Sequence, residues 1–238
     1  MINLTIQTQP DDETCGPTCL YALYQHYNIN ISFDAVVQQV ERVRSGGTLG
    51  PLLGKHALHQ NFNATLYVNN LNVFDPTWFK EIEPSSDMLI SKLNAQLHYK
   101  KDKALVEAST AYREYLELGG KIRFRTLNPA LLKSYFNQGI PILTSLSATY
   151  LYRCAREFFS NDGLSSYDDI KGTPCGHFVV LCGYDDQKRR VVVADPHREN
   201  PISHNNYYKV SSNRLINAIM LGVLTYDANL LIIQPKGT

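Results

Sequence analysis

No long hydrophobic run interrupts this chain of 238 residues. Its apolar stretches, such as Phe178–Cys182 and Leu230–Ile233, fall far short of the roughly 18 residues that a membrane-spanning helix requires. Neither sign of charge is in excess: 23 Lys and Arg face 22 Asp and Glu, so no global field draws in nucleic acid or an anionic membrane. Biased tracts, repeats and linker-like runs are missing too. With 44% hydrophobic and 19% charged residues, the chain has the composition of an ordinary globular protein, one large domain spanning 1–238. The amino terminus, Met1 to Gly16, lacks a basic region, an apolar core and a small-residue cleavage site, so a cytoplasmic address is expected.

Cysteine is scarce and odd in number. Five residues (Cys15, Cys19, Cys154, Cys175 and Cys182) without a Cys-x-x-Cys pair argue against a disulfide framework, a zinc knuckle and a thioredoxin motif. Seven histidines likewise form no ligand spacing beyond His56-x-x-His59, which reads as a solvent-facing pair, so no metal is expected.

What is present divides into two halves. Thr14, Asp11 or Asp12 caps a helix over about 15–27, with Pro17 in its first turn and an apolar stripe of Cys19, Leu20, Leu23, Tyr24 and Tyr27. Further helices are expected from Phe33 to the Gly46-Gly47 pair, over about 50–60, and within Pro76–Ile82, Asp87–Tyr99 and Ala104–Leu118, with a strand at Thr65–Val68. After Gly119-Gly120 the period changes. Strands are read at Ile122 and Phe124, Ile140–Leu146, Phe178–Tyr184, Arg190–Ala194, Tyr207–Val210 and Leu230–Gln234, with helices after Asn128-Pro129 and over about 211–221. This order predicts an α+β architecture: a mainly helical lobe over about 1–120, a mostly antiparallel β lobe over about 121–238, and a cleft between them.

Three residues stand where that architecture would let them meet. Cys15 opens the first helix, where unpaired N–H groups and the positive end of the macrodipole stabilise a thiolate. Gly16 leaves room for a carbonyl to approach the backbone, and Gln9 offers an amide N–H to a developing oxyanion. Taken alone, Cys15 is equally a small apolar residue at a helix start. His177 begins one strand, and Asp195, before Pro196, ends the strand that returns after the Asp185-Asp186 turn, so a hairpin makes the two neighbours. A thiol, an imidazole and a carboxylate that fixes its tautomer are the parts of a nucleophilic hydrolase. Lys121, Arg123 and Arg125 read as a solvated strand face, and Cys19 as core.

The stretch Gln9-Pro-Asp-Asp-Glu-Thr-Cys15-Gly16-Pro17-Thr18-Cys19-Leu20 resembles the amino-terminal motif of the C39 family of papain-like cysteine peptidases. Gly176-His177-Phe178-Val179-Val180-Leu181, followed by Val191 to Pro196, is similar to that family's histidine strand and Asp-Pro, and Gly139-Ile140-Pro141-Ile142 to the strand before it. Together these cover about 9–27 and 131–196. The resemblance implies Cys15 as nucleophile, His177 as general acid and base, Asp195 as its orienting partner, Gln9 in the oxyanion hole, a papain-like fold and no cofactor. It implies an intracellular cysteine peptidase or amidase acting on a peptide or protein substrate. Members fused to transporters cut after Gly-Gly, whereas nothing here resembles a transporter or a nucleotide-binding module. Stand-alone members accompany ATP-grasp peptide ligases, which makes such a ligase a partner to expect. The same triad would serve an acyltransferase acting on small peptides, and a non-catalytic leader-binding module would keep the fold. The stretch from about 75 to 118 is longer than the family core and is expected to shape or cover the cleft.

Overall fold

Pro17 needs no backbone N–H in the first turn of a helix, and α1 (Cys15–His26) starts accordingly. The structure, a computed structural model, describes residues 1–44, 46–80, 84–159, 165–225 and 227–237. α1 does more than present a stripe. Residues 15–20 and 22–24 are all buried, so the helix runs through the core. Thr14 occupies its N-cap position, yet its hydroxyl donates to the Asp11 carbonyl and no side chain caps the helix. The leading N–H groups of α1 therefore lack a side-chain acceptor.

α2 (Phe33–Gln39) is capped by Ser32 Oγ and ends well before the expected Gly46-Gly47 pair. Val40 turns extended and buries its side chain, and its β-branched neighbours lend the helix little propensity with which to resist. Gly46 and Gly47, both with positive φ, instead serve a turn in which Val43 N bonds Gly47 O. α3 (Gly50–His59) and β1 (Phe62–Val68) follow. A 3-10 turn spans only Pro76–Phe79, and Ile82 lies outside the described residues. α4 (Ser86–Leu97) and α5 (Lys103–Glu117) are capped by Ser85 and Asp102. These two pack on each other, and α5 packs on α3, burying Leu89, Leu93, Tyr112 and Tyr115. The stretch expected to shape or cover the cleft packs into the core through these two helices.

β2 (Lys121–Arg123) precedes α6 (Pro129–Phe136), capped by Asn128, and β3 (Ile142–Ser147). A short helix, α7 (Ala148–Tyr152), and a hairpin of β4 (Glu157–Phe159) and β5 (Ser165–Tyr167) come next, none of them anticipated. β6 (Gly176–Asp185), β7 (Arg190–Ala194), β8 (Tyr207–Ser211), α8 (Ser212–Leu221) and β9 (Asn229–Pro235) complete the chain.

Seven strands form one sheet in the order β2-β1-β9-β3-β6-β7-β8, with every pair antiparallel except β1 and β2. The fold is α+β, as expected, with helices on both faces of the sheet. Leu66, Leu143, Phe178, Val180 and Leu231 meet α1, α3 and α5 on one face. Ile142, Leu146, Val179, Leu181 and Leu230 meet α6, α7 and α8 on the other. Full burial of each such side chain contributes about 1.5–3 kcal/mol, which is why the central strands are buried at nearly every position. Among the described residues no helix is long and apolar enough to cross a membrane.

Candidate active site

β6 and β7 pair with Val180 opposite Ala194 and Leu181 opposite Val193, but Gly183 opposite Val192. Cys182 is the extra residue of a β-bulge. Continuing the register past the bulge sets Asp195 opposite Val179, on the face that also carries His177. Without the bulge Asp195 would face Val180 and point into the opposite core, because a slip of one residue reverses every side chain. The bulge also leaves the Cys182 carbonyl to accept Ile2 N at 2.8 Å. From there the amino-terminal arm crosses the sheet edge: Ile6 N and Leu4 O both bond the Tyr207 hydroxyl, and Gln9 N bonds Pro196 O at 3.0 Å.

Asp195 is fully buried and completely engaged. His177 Nε2 donates to its Oδ1 at 2.8 Å, and so does the His197 backbone N–H at 2.9 Å. Tyr152 and Tyr208 hydroxyls donate to Oδ2 at 2.8 and 2.7 Å. Burial alone would raise this carboxyl, but the His177 charge and these hydrogen bonds hold it below the ordinary carboxylate value. For His177 burial alone would lower the imidazole. The Asp195 charge and hydrogen bond, joined by a hydrogen bond with Cys15, overturn that and raise it to about 10. With Nε2 committed to Asp195, the contact with Cys15 falls to Nδ1.

Cys15, His177 and Asp195 are thus brought together as one buried chain of contacts, with Cys15 at the uncapped start of α1. Gly16 is packed close: a Cβ there would lie 2.6 Å from Thr48 Cγ2 and 3.3 Å from Phe178. Gln9 is tied by its backbone to the Asp195-Pro196 turn, and its Nε2 donates one hydrogen to Asp11 O at 2.8 Å. Its Oε1 is buried without a hydrogen-bond partner among the described residues. Cys19 is core, as read, its thiol donating to Phe178 O.

Three neighbours escaped the sequence reading. Tyr152 sits on the unforeseen α7, and Tyr208 was visible only as part of a strand. His197 lies two residues beyond Asp195, its ring centroid 6.4 Å from that of His177, and burial together with the His177 charge lowers it. His56, read as solvent-facing, is buried, with its ring nitrogens bonded to Tyr24 Oη at 2.7 Å and Gln39 Oε1 at 3.3 Å. That correction follows from α3 packing against α1. Among the described residues no group of three or more His, Cys, Asp or Glu could hold a metal ion.

The sequence model of the Peptidase_C39 like family matches residues 1–217. The chain belongs to that family. It is a cysteine peptidase, a hydrolase of peptide bonds. Among curated proteins no match is found. Several solved structures are similar at low identity. One described as a C39-like peptidase from Bacillus anthracis is 15% identical, with 99% of this chain and 96% of that one covered and a TM-score of 0.44. The peptidase domain of Streptococcus ComA, a bi-functional ABC transporter involved in a quorum-sensing pathway, is 12% identical, with 98% and 100% covered and a TM-score of 0.45. Xylellain, a cysteine protease from Xylella fastidiosa, is 13% identical, with 97% and 82% covered and a TM-score of 0.42. Membership in the Peptidase_C39 like family rests on the family match, not on these likenesses.

Proposed function

We propose that the peptidase works through Cys15, His177 and Asp195 by way of an acyl-enzyme. A single observation carries this reading: a buried imidazole bonded to the Asp195 carboxylate, with Cys15 close enough to join Asp195 in raising it. The proton resides on the imidazole, and Cys15 attacks as thiolate. A C–S bond forms to the peptide carbonyl, and the C–N bond breaks as His177 Nδ1 gives its proton to the departing amine. Water then adds to the thioester, its proton passes to His177, and the acid leaves with Cys15 regenerated. The Cys15 N–H and the second Gln9 N–H are the donors this reading assigns to the developing oxyanion, a role to which the uncapped helix start is suited. Asp195, anchored by Tyr152 and Tyr208, holds the ring in one orientation throughout.

The test is alkylation followed by cleavage. Iodoacetamide at mildly acidic pH is expected to modify Cys15 faster than Cys19, Cys154, Cys175 and Cys182, and His177→Ala is expected to remove that advantage. A peptide library cleaved by the wild type and untouched by Cys15→Ala completes the case. Cleavage that survives Cys15→Ala refutes it.

A further inference from the structure

The end of β3 and the start of β6 lie side by side, with Ser147 opposite Gly176, and α7 follows β3 at once. In this corner Tyr150, Arg153, Arg156, Pro174, Leu221 and Leu224 line a cavity of about 290 Å³. α7 contributes to both this cavity and the candidate active site. Tyr152 reaches inward to Asp195, whereas Tyr150 belongs to the cavity wall. That wall is fastened to the histidine strand, because Ala148 N donates to Cys175 O at 2.9 Å and Cys175 N donates to Thr149 Oγ1 at 3.0 Å. Pro174 lies three residues before His177, a span of at most about 10 Å of extended chain.

The lining combines apolar surface with two guanidinium groups, Arg153 and Arg156. Leu224 is 59% exposed and Tyr150 is 40% exposed, so both offer apolar surface to a ligand. No carboxylate among the described residues pairs with Arg153, which caps α7 in a left-handed conformation. Behind it stands Arg214, whose Nε is buried without a partner among the described residues and whose guanidinium is disfavoured by burial and by the charge of Arg153. Arg156 donates to the Asp169 carbonyl and lies within the field of Asp168, whose carboxylate accepts from Ile170 N and Lys171 N. Like charges set together at the mouth of an apolar recess are relieved by an anion, and a guanidinium suits a carboxylate.

The chemistry proposed above gives this place a direction. His177 hands its proton to the departing amine, so the half of the peptide that carries this amine lies on the histidine side of the cleft. Pro174, in the cavity wall, lies three residues before His177 on that side. We propose, resting on that reading of Cys15 and His177, that the cavity is a leaving-group subsite that takes a free C-terminal carboxylate borne by an apolar residue. The enzyme then trims short pieces from the carboxyl ends of peptides. Its volume, at the lower edge of the roughly 300–1,000 Å³ of small-molecule pockets, suits the end of a peptide and not a folded partner.

Binding to the full-length Cys15→Ala protein, measured by saturation-transfer NMR, tests this without turnover. The probes are N-acetyl-leucyl-leucine, its C-terminal amide, and N-acetyl-aspartyl-leucinamide, which moves the carboxylate to a side chain. The acid is expected to bind at least about tenfold tighter than the amide and the aspartyl probe, a factor in keeping with one charge-assisted contact. Arg153→Ala is expected to abolish the advantage, and Arg153→Lys to keep part of it. Equal binding of acid and amide, binding of neither, an aspartyl probe as good as the acid, or an advantage untouched by Arg153→Ala would each overturn the proposal. Failure of the wild type to cleave peptides would refute the peptidase chemistry through a different readout.

Discussion

Replacing Asp195 with Asn keeps the shape of a fully buried side chain and removes its charge. In the folded protein Asp195 and Cys15 together carry the His177 proton up to about 10 from an ordinary value of 6.5. At about 1.36 kcal/mol per pH unit this favours the folded state by roughly 5 kcal/mol at low pH, and breaking a buried pair costs about 3–5 kcal/mol by itself. A loss of roughly 3–5 kcal/mol is therefore expected in Asp195→Asn near pH 6. The sign with pH is fixed. A histidine raised in the folded state contributes fully below 6.5 and loses that contribution as pH climbs through about 10. Asp195, held low, contributes above 3.8 and loses its share as pH falls further. Urea unfolding of both proteins from about pH 2 to about pH 10.5 should give a stability difference with a plateau near pH 6, a decline below 3.8 and a decline as pH climbs toward about 10. A difference below about 1 kcal/mol at pH 6, or one that is flat up to pH 10, would refute the buried ion pair.

Gly16→Ala places a methyl group 2.6 Å from Thr48 Cγ2, and a cost of about 1–3 kcal/mol is expected in the urea midpoint; an unchanged midpoint would mean that Thr48 moves aside freely. Gln9→Ala is expected to lower kcat by about 10²–10³ with little change in KM, the signature of a donor used in the transition state, and a loss confined to KM would contradict it. Asp227 is buried, and burial pushes its carboxyl up to about 7 against the pull of Gly50 N, Asn229 and Ser145. A raised carboxyl penalises the folded state increasingly as pH rises from 3.8 through about 7, so Asp227→Asn should gain stability relative to wild type across that window. Relative loss with rising pH would overturn the assignment.

Much of this protein was legible along the chain. The start of α1 at Cys15 follows from local chemistry: Pro17 in the first turn and apolar residues at helical spacing behind it. The strands β6 and β7 follow from β-branched runs around Asp185-Asp186, and the nearness of His177 to Asp195 from a hairpin. Charge balance and the shortness of the apolar runs needed no structure at all. Other features have no local cause. The length of α2 was misjudged because Val40 gains more by entering the core than by completing a helical turn. His56 looked exposed because the helix that covers it lies about thirty residues away in sequence, with Tyr24 as its partner.

The tertiary structure alone decided what makes the pair of His177 and Asp195 rigid. The bulge at Cys182 sets which face Asp195 points to, and register across a strand pair is a property of two strands packed on a core, invisible to either one. Tyr152 and Tyr208 come from elements 43 residues before and 13 residues after Asp195, and only folding brings their hydroxyls to one carboxylate oxygen. The amino-terminal arm ties Gln9 to Pro196 across most of the chain. Sequence spacing selects residue types and local elements because those depend on neighbours along the backbone. The charges and hydrogen bonds that, against burial, hold the proton on His177 depend on neighbours in space.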